Sequence, residues 1–317
     1  MYDRNVLKRK SITAVIFISL YILVPCIITF YGKGFAREIV SEEPVSGKSV
    51  VINYKNASQE VDLEKFVAMV LAKRLSMSEE ISVLKAESIM IRTDINRIMG
   101  ENVSIDTDSL GMDYMTTKQM KNAWGKDYED KYNLVMDCVA STSGMVIRSE
   151  GNLIDARYTQ VSCGTTLSGK EILGDEYDYL MPVQCDNDMN SEDYIAVYTF
   201  SNKEFTSKLK KIYDGLSFST DKPEQEVQIV SKSQSGYVLK IQVGNIVMTG
   251  RQFAAALGIN SSCMTIDFMS NSIKITTKGK GEGMGVSIYS ADIMAKNGSS
   301  YEEILQTFYN KISIDSE

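Results

Sequence analysis

The 317-residue sequence contains no histidine. That excludes a Ser-His-Asp or Cys-His nucleophile, a histidine general base and any histidine-ligated metal. Acid–base chemistry would have to come from carboxylates, lysine, tyrosine or cysteine. There are only four prolines and no long Gly, Ser or Gln tract. Basic charge is also scarce: 34 Lys and Arg stand against 41 Asp and Glu, for a net charge of −7. Of the basic residues, Arg4, Lys8, Arg9 and Lys10 crowd the first ten positions, so the body of the chain is more acidic still. An acidic body does not suit a nucleic-acid partner, which needs clustered Lys and Arg. With 44% apolar and 24% charged residues, the composition is that of a folded globular chain.

One long stretch has no charge at all. SITAVIFISLYILVPCIITFYG, residues 11–32, follows the basic decapeptide. About 20 helical residues span roughly 30 Å, the thickness of a bilayer's hydrocarbon core. The expectation is a single transmembrane anchor at 11–32, kinked at Pro25, with the basic tail 1–10 in the cytoplasm and the rest of the chain extracytoplasmic. No small-x-small cleavage site follows the run, so an uncleaved anchor is favoured over a signal peptide. Residues 33–48 are polar and read as a tether. The five cysteines are Cys26, Cys138, Cys163, Cys185 and Cys263, without a C-x-x-C pair. In an oxidising exterior, a Cys163–Cys185 disulfide is one possibility, and unpaired buried thiols are the other.

Beyond the tether, helical and strand patterns interleave. Residues 49–54 alternate as a strand. Asp62 is placed to cap a helix carrying Leu63, Phe66, Val67, Val70 and Leu71 on one stripe. A second helix is predicted over about 78–99, with Ile81, Leu84, Ser88, Ile91 and Ile95 on one face and Gly100 as its stop. Helical patterns return near 116–123 and 128–141. A hairpin follows, with strands at 145–148 and 153–161. Residues 164–192 read as irregular, and the acids there, with Asp94, as solvated loops. A strand at 194–200 leads to a helix at 201–213 with a Ser201/Glu204 capping box. Strands at 227–230, 237–243 and 246–249 precede a helix at 251–257, a hairpin turning at 271–272, the glycine-rich KGKGEGMG, and helices near 287–296 and 300–310. Without a βαβ rhythm this predicts an α+β fold of mixed helices and antiparallel strands.

Three blocks in this region are similar to the SpoIID family, which includes the amidase-enhancer domain of LytB. KFVAMVLAKRLSMSEEISVLKAESIMIRTDI, 65–95, aligns without a gap with V-x-x-V-V-A-x-E-M-P-x-x-x-x-x-E-A-L-K-A-Q-A-V-A-A-R-T-Y-A. DARYTQVSCGTTLSGKEILGDEYDYLMPVQCDND, 155–188, resembles D-A-x-Y-H-S-x-S/C-G-G-x-T and the acidic stretch that follows it. The third block, 250–314, runs from GRQFAAALGINSS to SYEEILQTFYNKISI and holds GKGEGMGVSIYSA, 279–291, which resembles G-x-G-H-G-V-G-M-S-Q-Y-G-A. The resemblance covers 49–314, with 190–248 poorly matched.

The resemblance implies a peptidoglycan-remodelling protein acting in sporulation, at engulfment, with glycan strands as substrate and a cell-wall amidase or other sporulation membrane protein as partner. The activity it implies is lytic transglycosylation: one carboxylic acid protonates the glycosidic oxygen, and a 1,6-anhydro sugar is left. In the family that acid is the Glu of A-E-M-P, and here the position is Arg74, which cannot donate such a proton. The family's histidines are Thr159 and Glu282, so the metal site of some members has no counterpart and no cofactor is implied. By the same resemblance the substrate-binding candidates are Lys85, Arg92, Tyr158, Ser162, Gly281, Gly283, Gly285, Ser287 and Tyr289. Glu87 and Glu282 are the candidates for a relocated acid. The expectation is a glycan-binding or partner-positioning protein without the standard activity. The alternative is an active lytic transglycosylase that uses Glu87 or Glu282. Ser82–Lys85 also fits S-x-x-K, but the companion S-D-N and K-T-G motifs of penicillin-binding enzymes are missing.

Overall fold

The computed structural model describes residues 46–54, 57–213, 215–218 and 222–317. The anchor, the basic tail and all but the last residues of the tether lie outside the described residues. No helix among the described residues is long and apolar enough to cross a membrane. Residues 45–317 form one compact unit.

Strands β1 (Ser49–Tyr54) and β2 (Ala57–Asp62) form an antiparallel hairpin, and Asp62 then caps helix α1 (Leu63–Arg74) by accepting from the Glu64 amide. Helix α2 (Ile81–Met99) starts three residues later than the sequence predicts. The delay has a cause at Ser78, whose hydroxyl accepts from the Glu80 amide and donates to Asp292, holding the lead-in as a turn. Of the predicted α2 stripe, Leu84, Ser88, Ile91 and Ile95 are buried, whereas Ile81 is 55% exposed.

Strand β3 (Ser104–Asp106) pairs parallel with β1. Helix α3 (Tyr128–Ser141) then packs on α1 and α2. The predicted 153–161 strand is two pieces. Strand β4 (Met145–Ser149) pairs with the short β5 (Asn152–Leu153), and β6 (Tyr158–Val161) belongs to another sheet. Residues 155–157 leave the ladder because the Ala156 amide donates to the Asp94 carboxylate and the Arg157 amide to the Asp155 carbonyl.

The poorly matched stretch, together with the residues that follow it to Lys278, builds a second core. Strand β7 (Ile195–Ser201), helix α4 (Asn202–Ile212), strands β8 (Val227–Lys232), β9 (Val238–Val243) and β10 (Ile246–Thr249), helix α5 (Gly250–Leu257) and strands β11 (Met264–Phe268) and β12 (Ser272–Lys278) enclose it. Phe205, Leu209, Ile241, Phe253 and Ile275 sit at its centre.

Short strands β13 (Lys280–Gly281) and β14 (Val286–Ser287) flank β6, the first antiparallel and the second parallel. Helices α6 (Ile288–Lys296) and α7 (Tyr301–Phe308) cover the face of α2 opposite α1. The C-terminal strand β15 (Ile312–Ser316), absent from the sequence reading, pairs with β4. The predicted α+β class is the observed one, except that two of the strand pairs are parallel.

Candidate functional site

Helix α1 ends on Arg74, and its guanidinium reaches the site from that end. It lies 4.3 Å from the ring centroid of Tyr158, the first residue of β6. Its Nη1 is 3.8 Å from Oε1 of Glu87 on α2, close enough for a charge contact and too far for a hydrogen bond. Glu87 has no exposed surface, and neither carboxylate oxygen has a hydrogen-bond partner. Burial pushes its pKa up to about 7, and Arg74 opposes the rise. Glu87 is thus a proton-holding carboxyl sealed behind Arg74.

Two cavities meet at Tyr158, and a third adjoins the second. The first, about 460 Å³, is lined by Lys73, Arg74, Ser76, Asp113, Tyr158 and Gln160 among others. The second, about 510 Å³, shares Tyr158 and Gln160 with it and adds Asp94, Arg157 and Lys280. The third, about 570 Å³, shares Gly281 and Glu282 with the second and extends past Arg251 and Asn260. Their shared lining residues place them in a row, a groove that is polar at the Arg74 end and largely apolar past Arg251, where Leu167, Ile172, Leu173 and Leu239 line it.

Glu282 stands in that groove but is clamped. Its Oε2 accepts from Arg157 at 2.8 Å and its Oε1 from Arg251 at 2.5 Å. Each oxygen already takes a guanidinium, so a sugar oxygen could reach the carboxyl only by displacing an arginine. Neither arginine was singled out in the sequence, because each lies far from Glu282 along the chain. Asp94, read there as a solvated loop residue, is on α2 and largely buried. Burial raises its carboxyl above the usual range, against the Ala156 amide and Arg97.

Several substrate-binding candidates sit elsewhere. Arg92 is 1% exposed and forms a bidentate pair with Glu64, 2.6 Å at each bond, with further bonds to the Met145 and Val139 carbonyls. Ser162 and Ser287 are also sealed, and both serve Asp188. That carboxylate accepts from the Ser162 amide at 2.6 Å, Ser287 Oγ at 2.7 Å and Ser290 Oγ at 2.6 Å. Asp188 itself is fully buried, contrary to the reading of its segment as solvated. Replacing it with Asn keeps the shape and removes the charge. The expected cost is about 1.5–3 kcal/mol, read as a lower urea midpoint. An unchanged midpoint would contradict the clamp.

Gly283 and Gly285 are buried and meet protein. A Cβ on Gly285 (φ +70°) would stand 1.8 Å from the Arg157 carbonyl oxygen, and one on Gly283 (φ +81°) 2.5 Å from the Tyr237 ring. Both therefore serve close backbone approach. Lys85 acts electrostatically on Cys138 and Glu302, and Tyr289 on Lys296, and neither lines the groove. Tyr158, Gly281, Arg74 and Glu282 are the candidates the groove brings together.

The Cys163–Cys185 disulfide does not form, and Cys138, Cys163, Cys185 and Cys263 are free thiols. The two backbones run side by side, but the sulfurs part. Cys185 Sγ turns to the Val183 carbonyl at 3.4 Å, and Cys163 Sγ to the Ser235 carbonyl at 3.1 Å. A hydrogen bond from Cys263 lowers the Cys163 thiol to about 7, whereas burial pushes Cys138 and Cys185 up to about 11. Iodoacetamide at pH 7.5 is therefore expected to label Cys163 at least about tenfold faster than either, by peptide mass mapping. Equal labelling would contradict this. Among the described residues, no group of three or more Cys, Asp or Glu is arranged to hold a metal ion.

With the fold and groove in hand, comparison with known proteins is specific. Residues 53–148, from β1 through most of β4, match the family model described as SpoIID, Stage II sporulation protein. The chain is 27% identical over 336 aligned positions to the stage II sporulation protein D of Bacillus subtilis, covering 97% of this chain and 96% of that one. It is 28% identical to the protein of the same name from Bacillus amyloliquefaciens, covering 88% of this chain and 81% of that one. Over residues 53–148 the chain is thus similar to the SpoIID family, and over most of its length to these two stage II sporulation proteins.

Proposed function

We propose that this is a membrane-anchored protein of peptidoglycan remodelling in sporulation that binds glycan strands, or positions a partner hydrolase such as an amidase on them, without standard lytic transglycosylase activity. The sporulation role is supported by the two Bacillus relatives, both stage II sporulation proteins D, and the anchor by the uncharged 11–32 run behind a basic tail.

One observation carries the loss of activity. At the position where the resemblance puts the acid, Arg74 faces the groove against Tyr158. An arginine there binds anions and holds a fixed positive charge, but it gives up no proton. The substitutes fare poorly. Glu87 carries a proton near neutral pH but has no exposed surface, and a general acid must come within hydrogen-bond reach of the leaving oxygen. Glu282 reaches the groove, but both of its oxygens are occupied by Arg157 and Arg251.

The alternative, an active enzyme using Glu87, is favoured by one fact, its pKa of about 7. It requires Arg74 to swing aside. Cosedimentation with purified sacculi tests the binding role: the protein is expected to pellet with them. Absence from the pellet would overturn glycan binding.

A further inference from the structure

We propose that Arg74 and the cavity in front of it form an anion site that takes the carboxylate of a sugar acid in a glycan strand. The inference rests on the glycan-binding reading and deepens it.

A guanidinium offers five N–H donors. Among the described residues, no carbonyl or carboxylate takes a hydrogen bond from that of Arg74, although its side chain is only 12% exposed. Glu87 stays 3.8 Å away and, with a pKa of about 7, only partly offsets the charge. A nearly buried arginine with so few partners is poised for a ligand, because leaving charged donors unmade is costly.

The cavity fits the same ligand. Lys73 adds a second cation at its wall, against the single acid Asp113, and Ser76 and Gln160 add neutral polar groups. The Tyr158 ring holds the guanidinium at 4.3 Å and restrains its position. A carboxylate suits the planar fork of a guanidinium, which can bind both of its oxygens. Tyr158 and Gln160 also line the next cavity along, so a ligand here continues into the groove. That continuity points to an acid carried on a sugar chain, not a free anion.

N-acetylmuramic acid and N-acetylglucosamine differ by one lactyl carboxylate and isolate this contact. The full-length protein, its Arg74→Gln and Arg74→Lys variants, and inorganic phosphate as a third probe would be compared by calorimetric titration. The wild type is expected to prefer the sugar acid roughly tenfold, as one charge-assisted contact gives. Arg74→Gln should erase the preference, and Arg74→Lys should lose most of it. Equal affinity for the two sugars, or a preference that survives Arg74→Gln, would overturn the proposal. Phosphate binding tighter than the sugar acid would overturn it in favour of a plain anion site. Thermal melts confirm that each variant is folded. Sacculus pelleting, run in parallel, separates the failures. If the sugars bind equally and sacculi still pellet the protein, only the carboxylate site is lost. If sacculi do not pellet it, the glycan reading is lost as well.

Discussion

Glu64→Ala is expected to cost about 3–5 kcal/mol of stability, the usual effect of stripping one partner from a buried ion pair. Glu64 sits in the first turn of α1, and its two oxygens take Arg92 Nε and Nη2 at 2.6 Å each. It also accepts from the Gly144 amide at 3.3 Å. Arg92 in turn bonds the Met145 carbonyl of β4 and, at 3.4 Å, the Val139 carbonyl of α3. One charged pair thus ties α1, α2, α3 and β4 together. Without Glu64, a guanidinium remains buried with no counter-charge. Urea denaturation should show the loss as a lower midpoint at unchanged slope. The double variant Glu64→Leu/Arg92→Met removes both charges and should recover part of the loss. A single variant as stable as the wild type would remove the pair from the account of the fold.

Glu87→Gln should stabilise the protein at pH 8 and leave it nearly unchanged at pH 5. The ordinary value for this acid is 4.5, and the folded protein holds it at about 7. Between those values the folded state keeps a proton that the unfolded chain has released, so stability falls as pH rises through the window. Above pH 7 the penalty levels off, on the order of 2–3 kcal/mol. A neutral Gln avoids it, and at pH 5 the wild-type carboxyl is already neutral when folded. Thermal or urea melts of both proteins at the two pH values read the difference directly. Destabilisation by Gln at pH 8 would mean that the ionised Arg74–Glu87 pair supports the fold, contrary to a carboxyl with no hydrogen bonds.

How much of this was legible in the sequence depends on distance along the chain. The Asp62 cap, the α2 stripe from Leu84 onward, the neighbouring strands at 237–243 and 246–249 and the hairpin at Asn271-Ser272 are local, and the sequence shows them. Arg74 was legible through alignment of a motif, but its contact with Glu87, on the next helix, was not. Nor was the setting: a surface pair and a sealed one have the same spacing, and only the packing of α3, α6 and α7 around α2 distinguishes them. Arg92 and Ser287 look like functional polar residues in a motif, yet their partners, Glu64 and Asp188, lie 28 and 99 residues away. The clamp of Arg157 and Arg251 on Glu282 was hidden for the same reason. The disulfide failed on side-chain direction, which the proximity of two backbones does not determine.

The central claim is that Arg74 has replaced the working acid, and product analysis tests it most directly. The full-length protein would be incubated with purified peptidoglycan and the soluble fraction read by mass spectrometry for 1,6-anhydro muropeptides, with Arg74→Glu alongside. The account predicts none from the native protein while it pellets with the sacculi, and any activity confined to Arg74→Glu. Anhydro products from the native protein that vanish in Glu87→Gln or Glu282→Gln would contradict it and make this an active enzyme with a relocated acid.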